Sequence, residues 1–134
     1  MSQENVEIVK RHHEAYNRHD IRAFLEPLDT DVEWIPIMAA LEGRTYRGRD
    51  GVRRWLEDLA TDWEIFETCP EEFRDLGDRV LILGHWRARG RASRVELENQ
   101  PGSWVVDLKG GKVIRQQTYT DRSEALEAVR KAQS

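Results

Sequence analysis

The chain of 134 residues has a single cysteine, Cys69, so it forms no internal disulfide. A lone thiol suits a reducing compartment. The sequence also lacks a run of about 18 apolar residues, which excludes a transmembrane helix. Its first residues, Met-Ser-Gln-Glu-Asn, lack the basic and apolar regions of a secretory signal. These absences predict a cytoplasmic protein that makes no membrane contact.

Neither sign of charge is in large excess, because 21 basic and 25 acidic residues give a net charge of −4. The two signs are interspersed, which argues against a nucleic-acid surface. The exception is a cluster formed by Arg87, Arg89, Arg91 and Arg94, the first three of which alternate along a predicted strand and share one face. We predict a solvated or salt-bridged rim there, with an anion or acidic-partner site as the alternative.

Histidine is scarce, and none of the four histidines stands at a usual metal-ligand spacing from a carboxylate or cysteine. We therefore predict no metal site and no cofactor. Repeats, linkers and low-complexity tracts are also missing from the sequence. The length is that of one domain, which we expect to span residues 1–134.

A long β-run from residue 78 to residue 121 is the most prominent feature that the sequence contains. It predicts three antiparallel strands over residues 79–90, 95–108 and 113–120. The segment Lys109-Gly110-Gly111-Lys112 is typical of a tight turn, because glycine accepts a positive φ without steric cost.

Helical periodicity precedes and follows this run. It predicts helices over residues 4–18, 21–28 and 51–61, the last capped by Asp50, and an amphipathic helix over residues 121–130. Two further strands are expected, one over residues 31–36 and one over residues 63–74 with an interruption at Pro70. Residues 37–47 are predicted as a loop, which could form a lid. Helices followed by an antiparallel sheet indicate the α+β class.

Several short sequence motifs resemble those of a known family. They are Glu-Asn-Val-Glu-Ile-Val at 4–9, Tyr-Asn-Arg-His-Asp at 16–20, Asp-Val-Glu-Trp at 31–34, Tyr-Arg-Gly-Arg-Asp-Gly-Val-Arg at 46–53, Gly-Gly-Lys-Val-Ile at 110–114 and Tyr-Thr-Asp-Arg-Ser-Glu-Ala-Leu at 119–126. In this order they resemble the SnoaL-like branch of the nuclear transport factor two-like superfamily. The resemblance implies a cone-shaped fold, with N-terminal helices packed on a curved, mostly antiparallel sheet around a pocket. Homodimers are frequent in the superfamily.

The superfamily includes ketosteroid isomerases, polyketide cyclases, epoxide hydrolases and dehydratases, so the resemblance implies no single reaction. The position of the isomerase base falls here on Trp34, and the positions of its oxyanion donors fall on His12 and Trp104. No carboxylate remains to deprotonate a carbon acid, so we reject isomerase chemistry of that type. Arg94 replaces a glycine in the turn after the first long strand, and we predict that this turn is rebuilt.

The resemblance places several candidate ligand-binding residues in the cone. His12 is the candidate catalytic base, since histidine exchanges protons near neutral pH; the alternative is a buried histidine without a catalytic role. The predicted walls are Trp34, Trp86 and Trp104, unless the indoles fill the cone. The predicted polar contacts come from three further side chains: Tyr16, Gln116 and Thr118. Trp55, on a helical apolar stripe, is predicted to belong to the core.

The opposite face of the first long strand carries Leu81, Leu83 and His85. An apolar outer face needs cover, so we predict a homodimer through the outer face of the sheet. The predicted function is binding of a small apolar or aromatic molecule, with cofactor-free acid–base chemistry of the cyclase, isomerase or hydrolase kind in addition if the protein is an enzyme. The alternative is a non-catalytic dimeric binding or protein-interaction module.

Overall fold

The computed structural model describes residues 2–37 and 43–133. Its helices are α1 (Ser2–Asn17), α2 (Ile21–Leu25), α3 (Gly48–Asp62) and α4 (Arg122–Gln133). Its strands are β1 (Leu28–Ile35), β2 (Tyr46–Arg47), β3 (Trp63–Asp75), β4 (Arg79–Gly90), β5 (Glu96–Lys109) and β6 (Lys112–Tyr119). None of the helices in these ranges is both long and apolar enough to cross a membrane.

The strands form one six-stranded sheet in the order β2-β1-β6-β5-β4-β3. All neighbouring pairs are antiparallel except β1 and β6, which run parallel. The predicted α+β class is therefore confirmed, and so are the three consecutive antiparallel strands of the long β-run.

The inner face of the sheet carries the main core. Val80 and Ile82 on β4 alternate inward with Trp104 and Val106 on β5, and all four side chains are buried. Helices α1, α2 and α3 pack on this face, each contributing buried apolar residues. Each fully buried aliphatic side chain contributes roughly 1.5–3 kcal/mol. Burial on one face only follows from the two-residue period of the strands.

Helix α4 covers an apolar cluster on the outer face of the sheet. Leu81, Leu83 and Val105 pack in a second buried cluster with Ala125 and Val129 of this helix. The premise of the predicted homodimer, an uncovered apolar outer face, is therefore wrong, because the chain covers those residues with its own last helix.

The arginine cluster is a salt-bridged rim, as predicted. Arg87 contacts Glu67 at 2.5 Å, and Arg89 contacts both Glu64 and Glu96. Arg94 reaches Glu64 at 3.2 Å, and the guanidinium of Arg91 donates to the carbonyl oxygen of Ala60. These exposed and half-buried pairs contribute little stability each.

Three local predictions are corrected by the structure. Arg94 adopts φ +62° in the β4–β5 turn, so the side chain is accommodated in the conformation that glycine would favour. Residues 46–47 form strand β2 rather than a loop, and α3 begins directly after it at Gly48. Asp50 is therefore not the cap; Arg47 occupies that position without a side-chain hydrogen bond. The remaining part of the predicted loop that could form a lid includes residues 38–42, which lie outside the described residues.

Candidate functional site

A cavity of about 430 Å³ lies between the helices and the inner face of the sheet. We call it the cone cavity. The chain has five tryptophans, and all of them line it: Trp34, Trp55, Trp63, Trp86 and Trp104. The indoles therefore wall the cone without filling it. A volume of this size is within the range of small-molecule pockets.

Gly102 on β5 allows two of these indoles to pack against the backbone of the strand. A Cβ atom at this position would lie 2.8 Å from Cδ1 of Trp86 and 3.1 Å from Cη2 of Trp104. Both distances are shorter than an ordinary van der Waals contact. Glycine at 102 is thus part of what shapes the apolar wall of the cone cavity.

His12 is placed on the wall of the cone cavity by the turn of α1 that faces α2 and β1. Its ring stacks on Phe24 with 4.3 Å between centroids and meets the edge of Trp34 at 5.6 Å. A carbonyl oxygen only accepts hydrogen bonds, so the 2.9 Å contact with the Phe24 oxygen is donated by Nδ1–H of His12. The second nitrogen, Nε2, is buried and has no hydrogen-bond partner.

His13 also lines the cone cavity, with its ring 5.5 Å from that of Trp104. Burial lowers the pKa of His13 to about 4. Burial also lowers the pKa of His12 to about 3, with a further contribution from the neighbouring His13 and an opposing one from the Phe24 carbonyl. Both imidazoles are therefore neutral at pH 7.

The three predicted polar side chains all line the cone cavity. The hydroxyl of Tyr16 donates to the carbonyl oxygen of Phe66 at 2.7 Å, so its proton is already used within the chain. Burial raises the pKa of Tyr16 well above its usual range. Gln116 is buried and its Oε1 has no partner, whereas Thr118 is half-buried beside Trp104 on the adjoining strand.

Among residues 2–37 and 43–133, the charged residues that line the cone cavity lie where the protein meets solvent. Asp58 and Asp62 on α3 and Arg44 line it and are exposed. The hydroxyl of Tyr46 donates to Oδ2 of Asp58 at 2.8 Å. Partial burial and the Asp58 carboxylate raise the pKa of Tyr46. The described part of the site therefore has a polar rim and an uncharged interior.

Four side-chain nitrogen or oxygen atoms in the described part of the chain are buried without a hydrogen-bond partner. They are Nε2 of His12, Nε2 of His13, Nε1 of Trp86 and Oε1 of Gln116. All four belong to residues that line the cone cavity. A buried polar atom left unsatisfied costs roughly 1–3 kcal/mol, and the four atoms of this kind are concentrated at one cavity.

Sequence reasoning missed part of the wall. Trp55 was predicted as core, and it does pack against the core, but it also lines the cone cavity. Trp63 and Phe66 line the cavity although they are three residues apart on β3. A register shift between Trp63 and Ile65 brings both to the inner face, which a strict two-residue period does not predict. The high number of tryptophans was the available signal.

Within residues 2–37 and 43–133, no group of three or more histidine, cysteine, aspartate or glutamate side chains is arranged to hold a metal ion. The cone cavity instead presents aromatic faces, two neutral imidazoles, an indole N–H and an amide. These groups favour contact with a flat molecule and hydrogen bonding to it, and the pKa values leave no strong base at neutral pH.

Comparison with solved structures identifies the fold as nuclear transport factor two-like. An NTF2-like protein of unknown function from Burkholderia pseudomallei K96243 has a TM-score of 0.80 and 23% identity, over 95% of each chain. A protein with a ketosteroid isomerase-like fold from Catenulispora acidiphila DSM 44928, in complex with trimethylamine, has a TM-score of 0.75 and 18% identity, over 90% of each chain. A putative polyketide cyclase from Xanthomonas campestris pv. campestris has a TM-score of 0.71 and 21% identity, over 96% of this chain and 98% of the other.

The family model of the SnoaL-like domain matches residues 9–116. The chain therefore belongs to the SnoaL-like family, as the sequence motifs indicated. No curated protein matches the chain in sequence. The family includes small-molecule binding and cyclase-type proteins, and membership supports a function of that broad kind.

Proposed function

We propose that this protein binds a small, flat, apolar or aromatic molecule in the cone cavity. The observation that carries the proposal is a cavity of about 430 Å³ whose wall includes all five tryptophans of the chain. Aromatic faces stack on flat ligands, and a few polar groups among them fix the ligand's orientation. Trp34, Trp86 and Trp104 would form the wall, and His12, Gln116 and Thr118 would provide the polar contacts. Tyr16 would contribute its ring, because its hydroxyl already donates a hydrogen bond to the carbonyl oxygen of Phe66.

The comparisons with solved structures support the proposal that the protein binds a small molecule, without indicating which one. One solved structure with the same fold was obtained in complex with trimethylamine, and others are putative polyketide cyclases. Those ligands and activities belong to the other proteins. They support the proposal that a protein of this fold binds a small molecule.

Acid–base catalysis with His12 as the base is the second candidate. It is favoured by the position of His12 on the cavity wall. A pKa of about 3 makes the imidazole a weak base at pH 7, so binding is the better supported of the two. His12→Ala with undiminished turnover of a substrate found by screening would end the catalytic candidate. A filled cone would have favoured the interaction module, and the open cavity gives it no such support.

Quenching of tryptophan fluorescence by a panel of aromatic and polyketide-like compounds tests the proposal. Thr118→Phe places a ring inside the cavity, and we expect it to weaken binding of every active compound by at least about tenfold. Thr120→Phe is the matched control, because Thr120 is exposed just beyond the end of β6 and does not line the cavity. We expect that control to bind like the wild type.

Two results would contradict the proposal. One is a panel in which no compound changes the fluorescence at millimolar concentration. The other is binding that Thr118→Phe and Thr120→Phe leave equally intact, because the ligand would then occupy another surface.

A further inference from the structure

A second, smaller cavity lies beside the cone cavity. Its volume is about 210 Å³, and it is lined by the end of α1, by α2, by α3 and by the start of β3. We call it the side pocket. Ala15, Ile21 and Leu56 give it an apolar lining, and Ile21 is exposed, so the side pocket reaches solvent. It is smaller than a typical ligand pocket and has room for a short apolar tail rather than for a whole ligand.

Some side chains line both cavities and therefore lie between them. On α1, His12 lines the cone cavity, Ala15 lines the side pocket, and Tyr16 lines both. In the described part of the chain, five residues are shared in this way: Tyr16, Phe24, Leu59, Trp63 and Phe66. We call these five residues the partition. The partition keeps the cone cavity and the side pocket apart.

Tyr16 connects the elements that form the partition. Its ring lies 5.6 Å from the ring of Phe24 on α2, measured between centroids. It also stacks on Trp55 of α3, with 6.0 Å between centroids and 23° between planes. The hydroxyl of Tyr16 donates to the carbonyl oxygen of Phe66 on β3 at 2.7 Å. One side chain of α1 thus contacts each of the three other elements around the partition.

The position of Tyr16 is secured by a second tie between α1 and β3. Because β3 lies at the edge of the sheet, one side of its backbone has no strand partner. The side-chain amide of Asn17 donates to the carbonyl oxygen of Thr68 at 2.8 Å, and the backbone N–H of Thr68 donates to Oδ1 of Asn17 at 3.2 Å. Together with the bond from Tyr16 to Phe66, these contacts fix the end of α1 on the strand. The Tyr16 ring is therefore a fixed part of the partition.

We propose that Tyr16 is a specificity-determining residue, whose ring closes the cone cavity toward the side pocket and so limits the length of the molecule that the cavity accepts. This inference rests on the proposed binding function and narrows it to compact aromatic molecules. An apolar tail that runs from the cone cavity toward the side pocket meets the Tyr16 ring. Removal of that ring joins the two cavities and provides the tail with the apolar lining of the side pocket.

Fluorescence titration with a series of 6-acyl-2-dimethylaminonaphthalenes tests the inference. The acetyl, butanoyl, hexanoyl and octanoyl compounds are uncharged and flat, differ only in their apolar tail, and change their emission when they leave water. We call the Kd of the acetyl compound divided by that of the octanoyl compound the tail ratio. Burial of one methylene strengthens binding by about fourfold, and in the wild type we expect a tail ratio of no more than about four. In Tyr16→Ala we expect the tail ratio to be at least about tenfold larger, because the tail enters the side pocket.

Three further variants isolate the contribution of the Tyr16 ring. Tyr16→Phe keeps the ring between Phe24 and Trp55 and should keep the wild-type tail ratio. Ile21→Ala is the matched control, because Ile21 lines the side pocket but does not belong to the partition; it should also keep the wild-type tail ratio. Tyr16→Leu is a milder truncation that retains an apolar side chain of high helix propensity. It should raise the tail ratio by at least about fourfold, the contribution of one methylene.

Methyl NMR of the wild-type protein gives a readout that needs no variant. The octanoyl compound should leave the signals of Ile21 and Leu56 in place, because the partition keeps its tail out of the side pocket. Saturable shifts of both signals would overturn the inference. An equal tail ratio in wild type and Tyr16→Ala would overturn it as well, while binding of the acetyl compound would still support the proposed function. If no compound of the series binds the wild type, the proposed function fails together with the inference.

Discussion

His12 combines three properties that set the chemistry of the cone cavity: it is buried, it is neutral, and one of its nitrogens has no partner. The stacked ring of Phe24 and the carbonyl oxygen of the same residue hold the imidazole in one orientation. Because desolvation disfavours the imidazolium, the group that the sequence predicted as a base is better suited to accept a hydrogen bond than a proton.

The burial of neutral His12 predicts a specific acid sensitivity. The folded-state pKa of about 3 lies below the unfolded value of 6.5, so below pH 6.5 only the unfolded chain gains this proton. The contribution of neutral His12 to the free energy of unfolding is therefore complete above pH 6.5. It is lost progressively as the pH falls from 6.5 toward 3. Between pH 6.5 and pH 5 this single group lowers the free energy of unfolding by about 2 kcal/mol.

Urea unfolding of the wild type and His12→Phe at pH 7 and pH 5 measures this effect. The loss of unfolding free energy between the two pH values should be smaller in the variant by about 2 kcal/mol. Val9→Ala is the control, because it removes buried apolar atoms from the same helix without a titratable group and should lower stability equally at both pH values. An identical pH dependence in His12→Phe and wild type would show that His12 is not held neutral.

The sequence predicted His12, Trp34 and Trp104 as cavity residues only through the family resemblance, and it did not predict the surroundings that set their roles. The pKa of His12 depends on burial under Phe24, and the bond to the Phe24 carbonyl joins α1 to α2. Neither is visible in the local pattern of α1. Residue type and periodicity thus indicate which side chains face inward, whereas hydrogen-bond roles require the packed neighbours.

The helices and strands themselves follow the sequence pattern closely, with informative exceptions. Strand β4 has the predicted bounds, because alternation marks both faces of a strand. Helix α3 starts earlier than Asp50 indicated, because Gly48 at φ +73° lets the chain leave β2 and enter the helix at once. The sequence did not predict the register shift at the start of β3. A β-bulge adds one residue to a strand, and the alternation of apolar and polar residues does not show where this happens.

Helix α4 illustrates a different limit of sequence analysis. The apolar face of Leu81 and Leu83 was visible in the alternation of β4, and so was the amphipathic character of the last helix. A second copy of the chain and the chain's own helix would bury that face equally well. The pattern therefore showed that the face needs cover, and only the structure showed that α4 supplies it.

The cover provided by α4 predicts a strong effect of charge at its inner side. Val129→Asp places a carboxylate against the outer cluster, and we expect it to lower the free energy of unfolding by about 2–4 kcal/mol. Arg130→Asp, at the neighbouring exposed position, should lower it by less than about 1 kcal/mol. Thermal or urea unfolding measures both. Equal effects of the two substitutions would show that α4 does not pack on the sheet.

At the scale of the whole molecule, the two faces of the sheet pack against different helices. Helix α4 covers the apolar cluster of the outer face, and the arginine rim carries partly exposed ion pairs. The inner face is closed over its core by α1, α2 and α3, and remains open where the indoles line the cone cavity. The same inner face therefore carries both the main core and the wall of the cone cavity.

The most direct test of ligand binding in the cone cavity is nitrogen–proton NMR of the five tryptophan indole groups during addition of 2-naphthol. We predict that the indole signals of Trp34, Trp86 and Trp104 move in a saturable manner. The backbone amide signals of Leu81 and Leu83, on the outer face, should stay in place. Unchanged indole signals together with shifts on the outer face would contradict binding in the cone and place the interaction surface beneath or beside α4.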